Sequence, residues 1–151
     1  MMVDLEVIHY IHPLIVHFPI ALLLTAVLLD GLAIILKRPA LHRVALWNLC
    51  LGTVGAGVAV LTGREAAEVA KHSFEIWKVM EQHQRFGFAT LIFATLASAL
   101  RLVKRDQLPP SLQAVSLILM LAMAVTLSLG ARLGGRLVHE FGVHATKHSG
   151  Q

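Results

Sequence analysis

The sequence predicts an all-α integral membrane protein, an up-down-up-down bundle of four transmembrane helices. Three observations lead to this prediction. The 151 residues are 56% apolar and only 15% charged, whereas a soluble domain is about 45–50% apolar and about 25% charged. Four apolar runs reach or approach the roughly 20 residues that a membrane span requires. The basic residues lie at the ends of those runs. A chain of this length has room for one domain, residues 1–151.

The four expected spans cover about residues 13–36, 44–62, 79–102 and 112–131. Lys37-Arg38-Pro39 separates the first two spans and Pro109-Pro110 separates the last two. Prolines and charges of this kind end helices. Because both links are short, neighbouring helices are expected to be antiparallel. Residues 144–151 are polar and are expected to form a flexible tail.

The longer connection between the second and third spans also has a helical pattern. Thr62 and Glu65 fit the Thr-x-x-Glu capping box, which marks the start of a helix. Apolar residues then recur at helical spacing, at Ala66, Ala70, Phe74 and Trp77. The pattern predicts an amphipathic helix at the outer interface. A solvent-facing cap over the mouth of the bundle is the alternative.

The charge distribution predicts the orientation. The two short links and their flanks contain six basic and two acidic residues, which leaves seven of each elsewhere: Lys37, Arg38, Arg43, Arg101, Lys104 and Arg105, with Asp30 and Asp106. The positive-inside rule therefore places both links in the cytoplasm and both termini outside. The basic residues form no stripe among polar segments, which argues against nucleic acid as a partner. Asp30 is the one charge well inside a span, and we expect it to pair with Arg101 or Lys37.

Eight of the nine histidines map to the outer half of the protein. His17 lies 20 residues before Lys37, and His83 lies 21 residues before Lys104. At a rise of 1.5 Å per residue, both are expected about 30 Å from the cytoplasmic edge. They belong to the first and third helices, which are diagonal in such a bundle. The spacing therefore predicts two imidazoles that face each other, as the axial ligands of a haem do.

Small residues share the helix face of His83: Gly87, Thr90, Ala94 and Ala97. The bulkier Phe88, Ile92 and Leu96 point away toward lipid. A small-residue face leaves space for a flat macrocycle, or it allows another helix to approach closely. The glycines of the second helix present the same two possibilities: Gly52, Gly55 and Gly57.

His17 lies between Pro13 and Pro19, and the alternative to ligation is a hydrogen bond from His17 to a backbone carbonyl near a kink. Further out lie His12 and His139. These two could ligate a second haem, with Arg132 and Arg136 pairing with propionates, or they could belong to an ordinary interfacial cap. A non-haem metal site is a further alternative. It would combine these histidines with a carboxylate: His12, His17, His83, His139 and Glu81 or Glu140.

Four segments together resemble the prokaryotic family DUF2231, a domain of unknown function. They are the run His12-Pro13-Leu14-Ile15-Val16-His17-Phe18-Pro19-Ile20-Ala21, the Thr62-Gly63 step with Ala66-Ala67, Glu81-x-His83, and Gly134-Gly135-x-Leu137-Val138-His139-Glu140. The resemblance covers almost the whole chain. It implies a four-span module of the prokaryotic cytoplasmic membrane, sometimes joined to Rieske or cytochrome c modules. It thereby implies membrane electron transfer and b-type haem. The chain has no Cys-x-x-Cys-His and a single cysteine, Cys50, so such a partner would be a separate protein.

These observations favour a cytochrome b-like electron-transfer protein that binds one or two haem b groups and links a quinone pool to an outer-side redox partner. His17 and His83 are the expected axial ligands. The alternatives are the non-haem metal site and a structural or assembly subunit without a cofactor. A stand-alone enzyme is less favoured, because the spans lack a serine or cysteine placed with a base and an acid. Membrane lipid surrounds the bundle in each case, and the oligomeric state is open.

Overall fold

Four long helices make up the part of the chain described by the computed structural model, which covers residues 5–69, 73–104 and 109–142. They are α1 (Leu5–Ile35), α2 (Pro39–Val69), α3 (Phe74–Lys104) and α4 (Pro110–His139). Each has 30 or 31 residues and is about 45 Å long at 1.5 Å per residue. All four are long and apolar enough to cross a membrane. The predicted fold class is confirmed.

The short links end the helices as the sequence predicts. Lys37 has a φ of 53°, and the N–H of Arg38 donates to the carbonyl of Ala33 at 3.0 Å. This is a Schellman turn, in which a left-handed residue ends the helix. Pro39 then begins α2, where its missing N–H costs nothing. Pro110 begins α4 in the same way, after an extended Pro109.

The predicted interfacial helix between spans 2 and 3 is not a separate element. Its described residues belong instead to the end of α2, which continues to Val69, and to the start of α3 at Phe74, whereas Ala70 lies outside the described residues. The capping box fails because the hydroxyl of Thr62 donates to the carbonyl of Val58 at 3.0 Å, one turn back. A threonine bonded in this way lies inside a helix and does not begin one.

The bundle consists of two tightly packed hairpins, α1–α2 and α3–α4, which contact each other less closely. The fit within the first hairpin depends on Gly52, because a Cβ there would lie 2.7 Å from Cδ2 of Leu23. Between the hairpins, the middle of the bundle is an apolar core whose main members are Leu23, Leu49, Ala94, Ala97, Met120 and Met123. Phe88, Ile92 and Leu96 are exposed on the outside of α3, as the sequence predicts.

A buried polar network joins all four helices at one end of the bundle. This end carries the two short links, and we call it the link end. The opposite end, where α1 begins and α4 ends, we call the terminal end. Asp30 of α1 is 1% exposed and Arg101 of α3 is 7% exposed. The two pair through both carboxylate oxygens, with one contact at 2.7 Å. The pairing of Asp30 with Arg101 is therefore the one observed.

The other two helices complete the network. Nδ1 of His42, on α2, donates to Oδ1 of Asp30 at 2.7 Å. Nε of Arg101 donates to the hydroxyl of Ser116, on α4, at 2.6 Å. Each buried charge thus has partners, as buried ionic groups require.

Arg101→Ala should lower the free energy of unfolding by about 3–5 kcal/mol, because it leaves the Asp30 carboxylate buried without its counter-charge. SDS-induced unfolding followed by circular dichroism measures this loss. Arg85→Ala is the control: Arg85 forms an exposed pair with Glu81 on the same helix, and such pairs contribute little. Equal stability of the two variants would contradict a structural role for the network.

Candidate functional site

A cavity of about 360 Å³ opens at the terminal end of the bundle. Its walls come from the first part of α1, the last part of α2, the first part of α3 and the last part of α4. The volume is within the range of sites for small molecules and cofactors, about 300–1,000 Å³. The walls are mostly apolar, and the side chains that carry nitrogen are His12, His17, Arg64, His83, Gln84 and His139.

All four histidines that the sequence singles out therefore line one cavity, and Gly87 lines it too. The two predicted arginines do not. Arg132 is exposed outside the cavity, and Arg136 donates to Glu140 at 2.9 Å. His139 is the last residue of α4, because this helix continues through Gly134-Gly135 instead of ending near residue 131.

His83 is held against α4 by two glycines. Its Nδ1 is 2.8 Å from the carbonyl oxygen of Gly130. Because a carbonyl only accepts, Nδ1 carries the hydrogen and Nε2 carries the lone pair. The ring lies over Gly134, where a Cβ would be 3.1 Å from Cε1. A side chain at residue 134 would therefore displace the imidazole.

His12 is held against α2 in the same manner. Its Nδ1 is 3.0 Å from the hydroxyl oxygen of Thr62. When that hydroxyl donates to Val58, it accepts from His12, and in this arrangement Nδ1 carries the hydrogen. The ring lies over Gly63, where a Cβ would be 2.9 Å from Cε1. Each hairpin thus presents one imidazole, fixed by an Nδ1 hydrogen bond and by contact with a glycine.

His17 differs from these two, because its Nδ1 donates within α1, to the carbonyl of Pro13 at 2.5 Å. This is the backbone bond that the sequence offered as the alternative role of His17. The side chain lines the cavity and is also exposed on the surface of the bundle. His17 therefore lies where the cavity opens sideways.

The depths of the histidines follow from the pairing of α1 with α3. Asp30 and Arg101 join these parallel helices. His12 and His83 each lie 18 residues before the paired residue of their own helix, whereas His17 lies 13 residues before Asp30. At 1.5 Å per residue, His17 is about 7–8 Å closer to the link end than His12. His83 is therefore level with His12.

Contacts through α2 give the same register. Gly63 packs against His12, and a Cβ at Gly87 on α3 would lie 3.9 Å from Cγ2 of Val60. Because α2 and α3 are antiparallel, moving three residues toward the terminal end on both helices places Gly63 of α2 level with Gln84 of α3.

The sequence predicts His17 and His83 at equal depth, when residues are counted from Lys37 and Lys104. That count fails because Lys37 lies in the turn beyond α1, whereas Lys104 is the last residue of α3.

The small-residue face of α3 borders open space at one depth and is closely packed at another. Gly87 and Thr90 line the cavity, whereas Ala94 and Ala97 are fully buried in the core. The hydroxyl of Thr90 donates to that of Thr126 on α4 at 2.9 Å. This contact lies at the end of the cavity nearest the apolar core. On α2, Gly52 and Gly55 pack closely against α1, but Gly57 has nothing within 4 Å.

The carboxylates proposed for a non-haem metal site have other partners. Glu81 pairs with Arg85 and Glu140 pairs with Arg136. Within the described ranges, no group of three or more histidine, cysteine, aspartate or glutamate side chains could hold a metal ion. His72, His144 and His148, and with them the predicted tail, lie outside the described residues.

Residues 8–147 match the model of a family described as a predicted membrane protein, DUF2231. The chain belongs to the DUF2231 family. The resemblance of the histidine and glycine motifs to that family is thereby confirmed. No curated protein and no solved structure matches the chain. The description of the DUF2231 family as a membrane protein agrees with the four apolar helices.

Arg64 is a cavity residue of this DUF2231 protein that sequence reasoning missed. It lies on α2 directly after Gly63, and it is exposed while lining the cavity. The segment that contains it is predicted as an interfacial helix outside the bundle, and that prediction does not bring Arg64 into a site. The available signal was its position beside Thr62-Gly63, one of the segments that resemble the family.

Two neighbouring glycines allow a matched test of how His83 is held. Gly134→Ala and Gly135→Ala both gain about 0.5–1 kcal/mol of helix propensity. Only the first brings a Cβ to 3.1 Å from His83, since nothing lies within 4 Å of a Cβ at residue 135. Gly134→Ala should therefore be the less stable of the two by about 1–2 kcal/mol, through loss of the bond to Gly130. SDS-induced unfolding measures the difference, and equal stabilities would show that the glycine does not fix the ring.

Proposed function

We propose that this DUF2231 protein is a membrane b-type cytochrome that holds haem in the terminal-end cavity between His12 and His83. One observation carries the proposal. Two imidazoles lie at the same depth on diagonal helices, and each is fixed by an Nδ1 hydrogen bond to the other helix of its own hairpin. Such a bond orients a ligating histidine and raises its basicity.

The number of available ligands favours haem over a metal ion bound by side chains alone. Zinc sites use three or four protein ligands, and no such group is found in the described part of the chain. Haem supplies its own four equatorial nitrogens and needs one or two axial ligands from the protein. A pair of histidines in an apolar cavity meets that need.

The haem would supply one-electron chemistry, and the chain would supply the surroundings that control it. The mostly apolar walls would exclude water, and His12 and His83 as ligands would help to set the reduction potential. Between the cavity and the link end, the apolar core and the Asp30–Arg101 network fill the bundle. We therefore propose one haem in the described part of the chain.

The charge bias of the links supports an orientation for electron transfer. Because six basic residues lie near the links, the positive-inside rule predicts that the terminal end lies on the outer side of the cytoplasmic membrane. An electron-transfer partner of the Rieske or cytochrome c type would then meet the cavity from that side. His17, exposed beside Leu14 and Phe18, faces the bilayer, from which a lipid-soluble quinol would approach.

Absorption spectra test this proposal. The protein is produced in haem-replete cells, purified in mild detergent and measured oxidised and after dithionite reduction. We expect a Soret band that shifts on reduction. His12→Ala and His83→Ala should lose the band or convert it to a five-coordinate form, whereas His17→Ala and the control His148→Ala should keep it.

Two outcomes would contradict the proposal at different levels. A colourless wild-type protein that shows no Soret band when haem is added would exclude haem binding. A Soret band that survives His12→Ala but is lost in His17→Ala would support haem binding and exclude His12 as a ligand. The ligands would then be His17 and His83, the pair predicted from the sequence. Recovery of the band in His83→Gly by added imidazole separates lost ligation from misfolding.

A further inference from the structure

Arg64 is the cation of the cavity wall that has no partner in the described part of the chain. Its side chain forms no ion pair or hydrogen bond there, although it lines the cavity and is exposed at its edge. Two other arginines of the terminal end are paired: Arg85 with Glu81 at 2.6 Å and Arg136 with Glu140 at 2.9 Å. Among the described residues, therefore, no counter-charge meets Arg64, and an anionic ligand in the cavity would supply one.

The position of Arg64 relates it directly to the histidine pair. It follows Gly63, the residue against which the ring of His12 packs, and His12 is level with His83. Antiparallel α2 runs toward the terminal end, so Arg64 is one residue beyond the ligand level on the side of the cavity mouth. A molecule held between the two imidazoles would reach this arginine at its edge.

The chemistry of the wall indicates what such a molecule carries at that edge. A guanidinium above an apolar surface is stabilised by an anion, and its planar donors fit a carboxylate in a two-bond arrangement. We propose that Arg64 binds the carboxylate of the cavity ligand, which is a haem propionate if the proposed function holds. This assigns to Arg64 the role that the sequence suggested for Arg132 and Arg136.

A haem analogue without carboxylates provides the test. Haem-free protein in nanodiscs of phosphatidylcholine is titrated with haemin and with haemin dimethyl ester, and the Soret absorbance gives the Kd. The variants are Arg64→Ala and the control Arg132→Ala, an exposed arginine outside the cavity. We expect Arg64→Ala to weaken haemin binding about 10- to 100-fold, as for a hydrogen bond between charged groups. Wild type and both variants should bind the ester equally, and equal ester binding also shows that the variants are folded.

Each other outcome has a defined meaning. Unchanged haemin binding by Arg64→Ala would overturn the assignment and leave the haem proposal intact. An equal loss for haemin and for the ester would mean that Arg64 acts on folding or shape, which also overturns it. If phosphatidylglycerol in the nanodisc abolishes the difference between wild type and Arg64→Ala, the arginine holds a lipid phosphate instead. Wild-type protein that binds neither compound would overturn the proposed function together with this inference.

Discussion

The ion pair between Asp30 and Arg101 is the constraint on which the rest of the bundle depends. Both side chains are buried in an apolar bundle, where an unpaired charge is very costly. His42 and Ser116 extend the pair to the remaining two helices. Sliding α1 along α3 would separate the charges, so the pair selects one register for these helices. That register places His12 level with His83 at the other end of the molecule.

The two ends of the bundle therefore have different physical characters. The link end is closed by charges that satisfy one another, and the middle is closed by interdigitated leucines, methionines and alanines. At the terminal end, small residues border the space between the hairpins, with Gly87 and Gly135 in the cavity wall. Gly63 and Gly134 also line the cavity, and each has an imidazole packed against it. A hollow lined by fixed imidazoles follows from this distribution of glycines.

Much of the fold could be predicted from the sequence, because its signals are local and strong in a membrane. Apolar runs indicate helices, and Lys37-Arg38-Pro39 and Pro109-Pro110 indicate where helices end. A buried Asp30 requires a positively charged partner, and Arg101 lies at the same end of the bundle, the link end. The gathering of His12, His17, His83 and His139 at one end also follows from span topology alone.

The boundaries of α2, the depths of the histidines and the role of Arg64 depend on contacts between helices, which a single sequence does not reveal. The capping box at Thr62 and Glu65 is overridden because the Thr62 hydroxyl bonds within α2 and accepts from His12. The relative depth of His17 and His83 depends on how α1 and α3 pair. Lys37 and Lys104 are poor reference points for this depth, because one lies beyond its helix and the other within it. Arg64 belongs to the site only because α2 continues past Gly63 as a helix.

Low-temperature EPR of the oxidised, purified protein tests most directly whether histidines of opposite hairpins hold one haem. Two imidazole ligands produce a six-coordinate, low-spin ferric haem, and we predict that signal as the dominant one, unaltered by cyanide at low concentration. A high-spin ferric signal would show that the second histidine does not ligate. A protein without any haem signal after reconstitution would contradict the account as a whole.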